Sequence, residues 1–251
     1  MYPADESDPD GVGALDALRR LPSALLEALA PQRCIYCDQS SGSALPLCRV
    51  CEGELLFNTA PCPRCALPGC GGNLCPACQA RPPALSSVTA TLVYDRALAY
   101  LMHRWKYGKE RRLADIGAYF LSKNSDFLEK VDTVLVTPLH WRRLLQRGFN
   151  QSEDLLTALQ RSDSGFRHAR TRSVRLQRVR ATAAQAASTR DARLRNLRGA
   201  FRVRGDVRGL SVGLIDDVCT TGATANAMAS ALRDAGAAQI HLLCIARTPD
   251  R

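Results

Sequence analysis

Residues 212–224 read VGLIDDVCTTGAT, and no other segment says as much about the fold. The apolar run over 211–215 predicts a short buried strand that ends in two acidic residues, Asp216 and Asp217. A turn rich in hydroxyl groups and glycine follows, and it leads into a helix predicted over 223–235. A strand, a turn and a helix N-terminus in this order expose backbone N–H groups that bind a phosphate monoester. The segment therefore predicts a phosphate-binding loop.

The residue types in this loop suit a sugar phosphate. Gly222 lets the backbone approach a ligand closely. Asp216 and Asp217 lie at the carboxyl end of a strand, where open α/β sheets bind their ligands, and carboxylates there accept hydrogen bonds from vicinal sugar hydroxyls. Further hydroxyl donors come from Thr220, Thr221 and Thr224. The alternative is a strand and a capped helix without a ligand, but it leaves the burial of two adjacent acids unexplained.

Predicted strands and helices alternate around this loop. The strands are expected over 88–94, 131–137, 211–215 and 239–246, and the helices over 98–107, 112–121, 151–159 and 223–235. Strands separated by helices indicate a mostly parallel α/β sheet. Upstream, an amphipathic helix is predicted over 13–30, broken or restarted near Pro22.

A cysteine-rich module precedes the α/β region. Nine of the eleven cysteines lie between residues 34 and 78, and eight of them form Cys-x-x-Cys knuckles: Cys34/Cys37, Cys48/Cys51, Cys62/Cys65 and Cys75/Cys78. Two such turns place four thiolates around one tetrahedral ion, so the module predicts two structural Zn²⁺ sites. Consecutive pairing of the knuckles is the simplest arrangement, but a cross-braced pairing stays open. Cys70 is either a free thiol or a substitute ligand in the second quartet.

The stiff Pro82-Pro83 pair predicts a boundary between this module and the rest of the chain. The expected organisation is a helical or flexible segment over 1–33, a double zinc ribbon over 34–80 and an α/β domain over 84–251. No run of about 18 apolar residues is present, which argues against membrane insertion. The acidic first ten residues lack the apolar core of a signal peptide, so we expect a cytoplasmic protein.

The net charge of +10 is carried by one segment. Between Arg167 and Arg208 there are thirteen arginines, no lysine and two aspartates, a net charge of +11. Such a surplus favours contact with a polyanion such as single-stranded DNA. A basic loop beside a pyrophosphate site would need part of this charge even without DNA.

Several separated motifs together resemble the ComF/GntX family of competence-associated, phosphoribosyltransferase-like proteins. The acid pair and its threonine-rich turn resemble the loop with which type I phosphoribosyltransferases bind phosphoribosyl pyrophosphate (PRPP). The other motifs are KYG at 106–108, VLVTPLH at 134–140, RGFNQ at 147–151, Thr182-x-x-Gln185, RLRN at 193–196 and Ala200-Phe201. The resemblance covers residues 34–248 and includes the double zinc ribbon. One departure is Thr137, where the family usually has Val.

The resemblance implies a type I phosphoribosyltransferase-like parallel sheet flanked by helices. Asp216 and Asp217 would contact the ribose hydroxyls of PRPP, and Arg147 would stabilise its pyrophosphate. The 5′-phosphate would be held by Thr220, Thr221, Gly222, Ala223 and Thr224. The pyrophosphate loop would contain Pro138, Leu139 and His140, although a structural role is favoured for His140. The arginine-rich segment would form a flexible loop that closes over the site.

Two functions follow from the resemblance. The first is transfer of ribose 5-phosphate to a nitrogen nucleophile, with Mg²⁺ and release of pyrophosphate, in which the protein acts mainly by electrostatics. The second is a non-catalytic PRPP-sensing or single-stranded-DNA-handling adaptor of the competence machinery, with a helicase as partner. The sequence identifies no pocket for the acceptor base. Trp105 and Trp141 are expected in the core or at a domain interface.

Overall fold

Four parallel strands form the central sheet in the computed structural model of the chain, which describes residues 31–124, 126–169, 173–180, 197 and 199–250. In chain order the strands are β1 (Ser87–Val93), β2 (Thr133–Val136), β3 (Arg175–Arg178), β4 (Phe201–Arg204), β5 (Ser211–Cys219) and β6 (Gln239–Arg247). The sheet order is β1-β6-β5-β2, and β3 and β4 form a separate antiparallel ribbon. The α/β parallel sheet predicted from the sequence is confirmed.

Two short helices precede β1, and the other helices lie between β1 and the strands that follow it. The helices are α1 (Arg49–Gly53), α2 (Pro76–Ala80), α3 (Arg96–Gly108), α4 (Leu113–Ser122), α5 (Asp126–Glu129), α6 (Trp141–Arg147), α7 (Gln151–Ser162), α8 (Ser164–Ala169) and α9 (Ala223–Asp234). The four predicted helices between 98 and 235 correspond to α3, α4, α7 and α9. The helix predicted over 13–30 and the motifs over 182–196 lie outside the described residues.

The core follows from the apolar pattern of the strands. β6 is buried at every position after Gln239, as expected for a central strand covered on both faces. β1, at the edge, alternates between buried and half-buried residues. Gly117 of α4 lets this helix lie close to the sheet, because a Cβ there would stand 2.7 Å from Ile245 Cδ1.

β5 is longer than the sequence predicts, and the difference creates the site. The expected strand ended before the acid pair, whereas β5 continues through Asp216 and Asp217 to Cys219. β6 stays paired with β5 along this extension, with Cys219 opposite Arg247. β2 stops earlier, because its last pair joins Val136 to Ile215. The acid pair therefore lies on a part of β5 with a strand on one side and an open position on the other.

The chain divides into two compact units, residues 1–51 and 52–251. The second cysteine quartet belongs to the same unit as the sheet. There, Asn58 N donates to the Thr91 carbonyl at 2.9 Å, and Asn58 Nδ2 donates to the Ala66 carbonyl at 2.9 Å. The three segments expected from the sequence, 1–33, 34–80 and 84–251, are a different division of the chain and remain a prediction. Within the described residues, no helix has the length and apolarity needed to span a membrane.

Candidate functional site

Eight of the nine clustered cysteines gather into two four-sulfur groups. The members are Cys34, Cys37, Cys48 and Cys51 in the first cluster, and Cys62, Cys65, Cys75 and Cys78 in the second. This grouping selects consecutive pairing over the cross-braced alternative. Cys70 packs against the second cluster but is not a member, and its thiol points to the Pro68 carbonyl at 3.8 Å.

The donor geometry fits zinc. In each cluster the four sulfurs lie within 4.8 Å of one another. The Sγ atoms of Cys37 and Cys48 are 3.8 Å apart, and those of Cys65 and Cys75 are 3.7 Å apart. Tetrahedral coordination with Zn–S bonds of about 2.3 Å separates the sulfurs by about 3.8 Å. Four thiolates leave no open coordination position, so both sites are structural zinc sites.

The acid pair at the end of β5 is held by hydrogen bonds. Asp216 Oδ1 accepts from the Asp217 amide at 2.9 Å and from the Ser152 hydroxyl at 3.2 Å. Asp217 Oδ1 accepts from the Val218 amide at 2.7 Å, while Asp217 Oδ2 lies 2.5 Å from Lys106 Nζ. Lys106 belongs to the last turn of α3, so this cation is brought to the acids from more than a hundred residues upstream.

The pKa values of the two carboxyls differ because Lys106 is in direct contact with Asp217 and acts on Asp216 only from further away. Burial and repulsion from Asp217 raise the pKa of Asp216 to about 7. Burial also opposes ionisation of Asp217, but the Lys106 ammonium outweighs it and lowers the Asp217 pKa. The same carboxylates outweigh the burial of Lys106 and raise its pKa. Near pH 7, Asp217 and Lys106 are an ion pair, and Asp216 is divided between its acid and its carboxylate.

The phosphate loop begins where β5 ends. Gly222, at φ +73°, precedes α9 in the left-handed conformation that favours glycine. A Cβ at this position would meet only Cys219 Sγ, at 3.9 Å, so the backbone conformation and not lack of space requires glycine. Thr221 Oγ1 accepts from the Ala223 amide at 3.3 Å, so the N–H of the first residue of α9 has a side-chain partner.

The segment after β2 is tied to α7 through Asn150. Its side-chain oxygen accepts from the Ser152 amide at 3.1 Å, and its amide nitrogen donates to the Thr137 carbonyl at 3.0 Å. Arg147, at the end of α6, donates to Gln151 Oε1 at 3.1 Å. Its guanidinium carbon lies 5.5 Å from the centre of the Tyr107 ring. This network fixes Arg147 against the first residue of α7 and the end of α3.

These elements surround one pocket of about 180 Å³. The predicted site residues that line it are Pro138, Leu139, Arg147, Asp216, Asp217, Thr220, Gly222 and Thr224. Three other predicted residues do not line it: Thr221, Ala223 and His140. His140 caps α6, its Nδ1 accepting from the Arg142 amide at 3.3 Å, which is the structural role that the sequence favoured.

Sequence reasoning missed several residues of this pocket. They are Lys106, Arg143, Asn150, Gln151, Ser152 and Arg178. Lys106, Asn150 and Gln151 lie inside the motifs KYG and RGFNQ, so a signal was present, but the motifs alone did not assign them roles. With Arg147, the pocket has four cationic side chains against two carboxyls, a balance suited to a ligand with several negative charges.

The prediction for Trp141 is wrong. Trp105 is fully buried, as expected, but Trp141 is 58% exposed because α6 buries none of its side chains. The Arg142 guanidinium carbon lies 5.2 Å from the centre of the Trp141 ring. The indole therefore lies on the surface beside the segment that follows β2, and not in a core.

Comparison with known proteins agrees with this architecture. Residues 25–79 match the double zinc ribbon domain, and residues 110–251 match the phosphoribosyl transferase domain. Fold and site thus define a phosphoribosyltransferase-domain protein with a double zinc ribbon.

Among curated proteins, the chain is 32% identical to the DNA utilization protein YhgH of Escherichia coli, over 80% of this chain and 90% of that protein. It is 30% identical to the competence protein ComFC of Streptococcus pneumoniae, over 63% of this chain and 67% of that protein. Competence protein F of Haemophilus influenzae is 26% identical, over 86% and 96% respectively. The chain belongs to the ComF family.

Proposed function

We propose that the chain binds PRPP in the pocket between the phosphate loop and Arg147. The observation that carries the proposal is the acid pair Asp216 and Asp217, which lies on the part of β5 that β2 does not cover, two residues before the loop that leads into α9. Carboxylates beside a phosphate-binding helix end suit a molecule with both vicinal hydroxyls and a phosphate monoester. The arginines that also line the pocket suit its pyrophosphate.

Each group of PRPP has a counterpart in this proposal. Asp216 and Asp217 accept hydrogen bonds from the ribose hydroxyls. The 5′-phosphate lies on the loop over 220–224, where Thr220, Gly222 and Thr224 line the pocket. Arg143 and Arg147, with the segment that includes Pro138 and Leu139, face the pyrophosphate. Arg178 reaches the same pocket from β3, which supports the role predicted for the arginine-rich segment.

Phosphoribosyl transfer is the reaction that this arrangement favours. A nitrogen nucleophile would attack C1 of the ribose while the C1–O bond to pyrophosphate breaks and the electron pair leaves with the pyrophosphate. Arg143 and Arg147 would stabilise the charge that develops on the leaving group, and the acid pair would hold the ribose in place. Mg²⁺ bound with PRPP would neutralise part of the pyrophosphate charge. Both the nitrogen acceptor and catalytic turnover are part of what we propose.

Calorimetric titration of PRPP and Mg²⁺ into zinc-loaded protein tests the site. We expect the double substitution Asp216→Asn and Asp217→Asn to weaken binding by about 100-fold or more, because each carboxylate makes a charge-assisted hydrogen bond. Asp126→Asn is the matched control, since Asp126 is also a carboxylate beside a lysine, Lys130, but lies on the surface. Equal affinity in the wild type and the double variant would refute the assignment.

We propose as a second function the binding of single-stranded DNA, supported by the β3–β4 ribbon and by the relatives' name "DNA utilization protein"; a helicase partner and a cytoplasmic location are part of the same proposal. Arg175 lies directly opposite Arg204, and Arg202 lies opposite Gln177. All three arginines are exposed, and alternation places them on one face of the ribbon. Like charges directly opposite each other destabilise a ribbon unless an anion lies between them. The backbone of a nucleic acid would supply that anion.

The salt dependence of DNA binding tests this second function. Replacing Arg175, Arg202 and Arg204 by Gln should lower the slope of log affinity against log salt by about 2, because each lost phosphate contact on single strands is worth about 0.7. PRPP affinity, measured in parallel, should be retained, since none of the three lines the pocket. An unchanged slope would place any DNA contact elsewhere.

A further inference from the structure

Arg247, the last residue of β6, is only 5% exposed although its guanidinium is permanently charged. Its Nη1 donates to the carbonyl oxygens of Thr220, of Thr248 at 2.6 Å and of Cys219 at 3.4 Å. Its Nε donates to the carbonyl oxygen of Cys65 at 3.1 Å. Among the described residues, no carboxylate forms an ion pair with it. Main-chain carbonyls therefore compensate this buried charge.

These carbonyls belong to two different parts of the molecule. Cys65 is a ligand of the second zinc cluster, and Cys219 and Thr220 lead into the phosphate loop. One guanidinium thus joins a zinc site to the loop proposed to hold the 5′-phosphate. The link is short, because a single side chain separates the metal ligand's own peptide unit from the loop.

Holding these carbonyls also sets the direction of the loop amides. The C=O and N–H groups of one planar peptide unit point in opposite directions. Because Arg247 binds the carbonyl of Thr220, the N–H group of Thr221 is directed away from Arg247. The Cys219 carbonyl is also held by the Thr248 amide at 3.0 Å. The positive charge behind the loop also favours a phosphate dianion in front of it. Arg247 therefore acts on the loop by orientation and by charge without lining the pocket.

We propose that Arg247 is a positioning residue that couples zinc binding at the second cluster to the conformation of the phosphate loop. Zinc fixes the Cys65 turn, the Cys65 carbonyl fixes the guanidinium, and the guanidinium fixes the Thr220 carbonyl. When the metal leaves, Arg247 loses one of its anchors and the loop loses its order. The coupling is a property of the chain, whereas its effect on PRPP rests on the proposed function. By linkage, PRPP tightens zinc at this cluster by the same factor by which zinc tightens PRPP.

Hydrogen exchange without any ligand tests the coupling directly. In zinc-loaded protein we expect amides of residues 219–226 to exchange at least about 10-fold more slowly than in the Cys78→Ser variant, which lacks the second zinc. The Arg247→Met variant, with both zincs retained, should show the same acceleration, and Arg247→Lys should restore part of the protection. Arg233→Met is the matched control, because Arg233 also donates to a main-chain carbonyl, that of Ala84 at 2.6 Å, and its other partner is the Ser86 hydroxyl.

A parallel measurement separates this proposal from the proposed function. Competition with a chromophoric zinc chelator, with and without PRPP and Mg²⁺, should show the second zinc held about 10-fold more tightly when PRPP is present, and this gain should disappear in Arg247→Met. Faster exchange in the Cys78→Ser and Arg247→Met variants without PRPP binding by the wild type would keep the coupling and refute the PRPP site. Unchanged exchange in Arg247→Met would overturn the coupling, whether or not PRPP binds.

Discussion

Replacing Asp216 by asparagine is expected to make the protein more stable at alkaline pH and, at the same time, unable to bind PRPP. Asparagine keeps the size of the side chain, and its carbonyl oxygen can still accept from the Ser152 hydroxyl and the Asp217 amide. The substitution removes a carboxyl group whose ionised form is disfavoured by burial and by the neighbouring Asp217. The substitution therefore isolates the electrostatic cost of keeping this acid.

The magnitude follows from the pKa of Asp216. An unfolded aspartate has a pKa near 4, whereas the pKa of Asp216 in the folded protein is raised to about 7. Between pH 5 and pH 8 the folded state thus holds a proton that the unfolded state has released, so the free energy of unfolding falls as the pH rises. Integration over this range gives a loss of about 2.5 kcal/mol for the wild type, which Asp216→Asn should not show.

Urea unfolding of zinc-loaded protein at pH 5, 6.5 and 8 measures this difference. The free energy of unfolding of Asp216→Asn minus that of the wild type should increase by about 2.5 kcal/mol between pH 5 and pH 8. Asp217→Asn is the control of opposite sign. It leaves Lys106 without its ion-pair partner, so it should destabilise by about 2 kcal/mol or more. The loss should shrink as the pH rises, because removing the Asp217 charge also lowers the pKa of Asp216 and so removes part of the loss that the wild type shows.

Two results would contradict this reasoning. Parallel pH profiles for the wild type and Asp216→Asn would mean that Asp216 does not titrate between pH 5 and pH 8. A less stable Asp216→Asn variant at pH 8 would mean that the carboxylate is compensated in the folded protein. If the variant is more stable but does not bind PRPP, the acid pair is retained for its ligand at a cost in stability.

Three further predictions concern the zinc clusters and the packing. Metal analysis should find two zinc ions per chain, and chelation should lower the thermal midpoint, because the ribbons bury too little apolar surface to fold alone; a folded metal-free protein would contradict this. Trp105→Ala should lower the free energy of unfolding by about 3–5 kcal/mol, whereas Trp141→Ala should leave it within about 0.5 kcal/mol; equal losses in denaturant titrations would place both indoles in the core. Gly213→Ala should lower the free energy of unfolding by about 1–3 kcal/mol, because the added Cβ would stand 2.9 Å from the Phe127 ring. A variant as stable as the wild type in the same assay would show that the ring can move.

The local features of the fold were predictable from short stretches of sequence. Apolar periodicity located the four strands of the sheet and the helices α3, α4, α7 and α9, because this periodicity depends on neighbouring residues. The Cys-x-x-Cys spacing indicated two zinc sites, and the acidic and threonine-rich segment after residue 211 indicated the phosphate loop. The exposed position of Trp141 was not predictable, because an indole does not reveal whether its helix packs against another element.

The sequence by itself determined which chemical groups are present and which of them are neighbours along the chain: the acid pair, the loop and the four knuckles. Only the tertiary structure decided which distant groups meet. It paired Lys106 with Asp217, selected consecutive pairing of the knuckles, and let β5 run past the end of β2 so that the acid pair faces an open position. It also placed Arg247 between a zinc cluster and the phosphate loop. The physical reason is that strand register and helix packing set these contacts, and both depend on the burial of the whole chain.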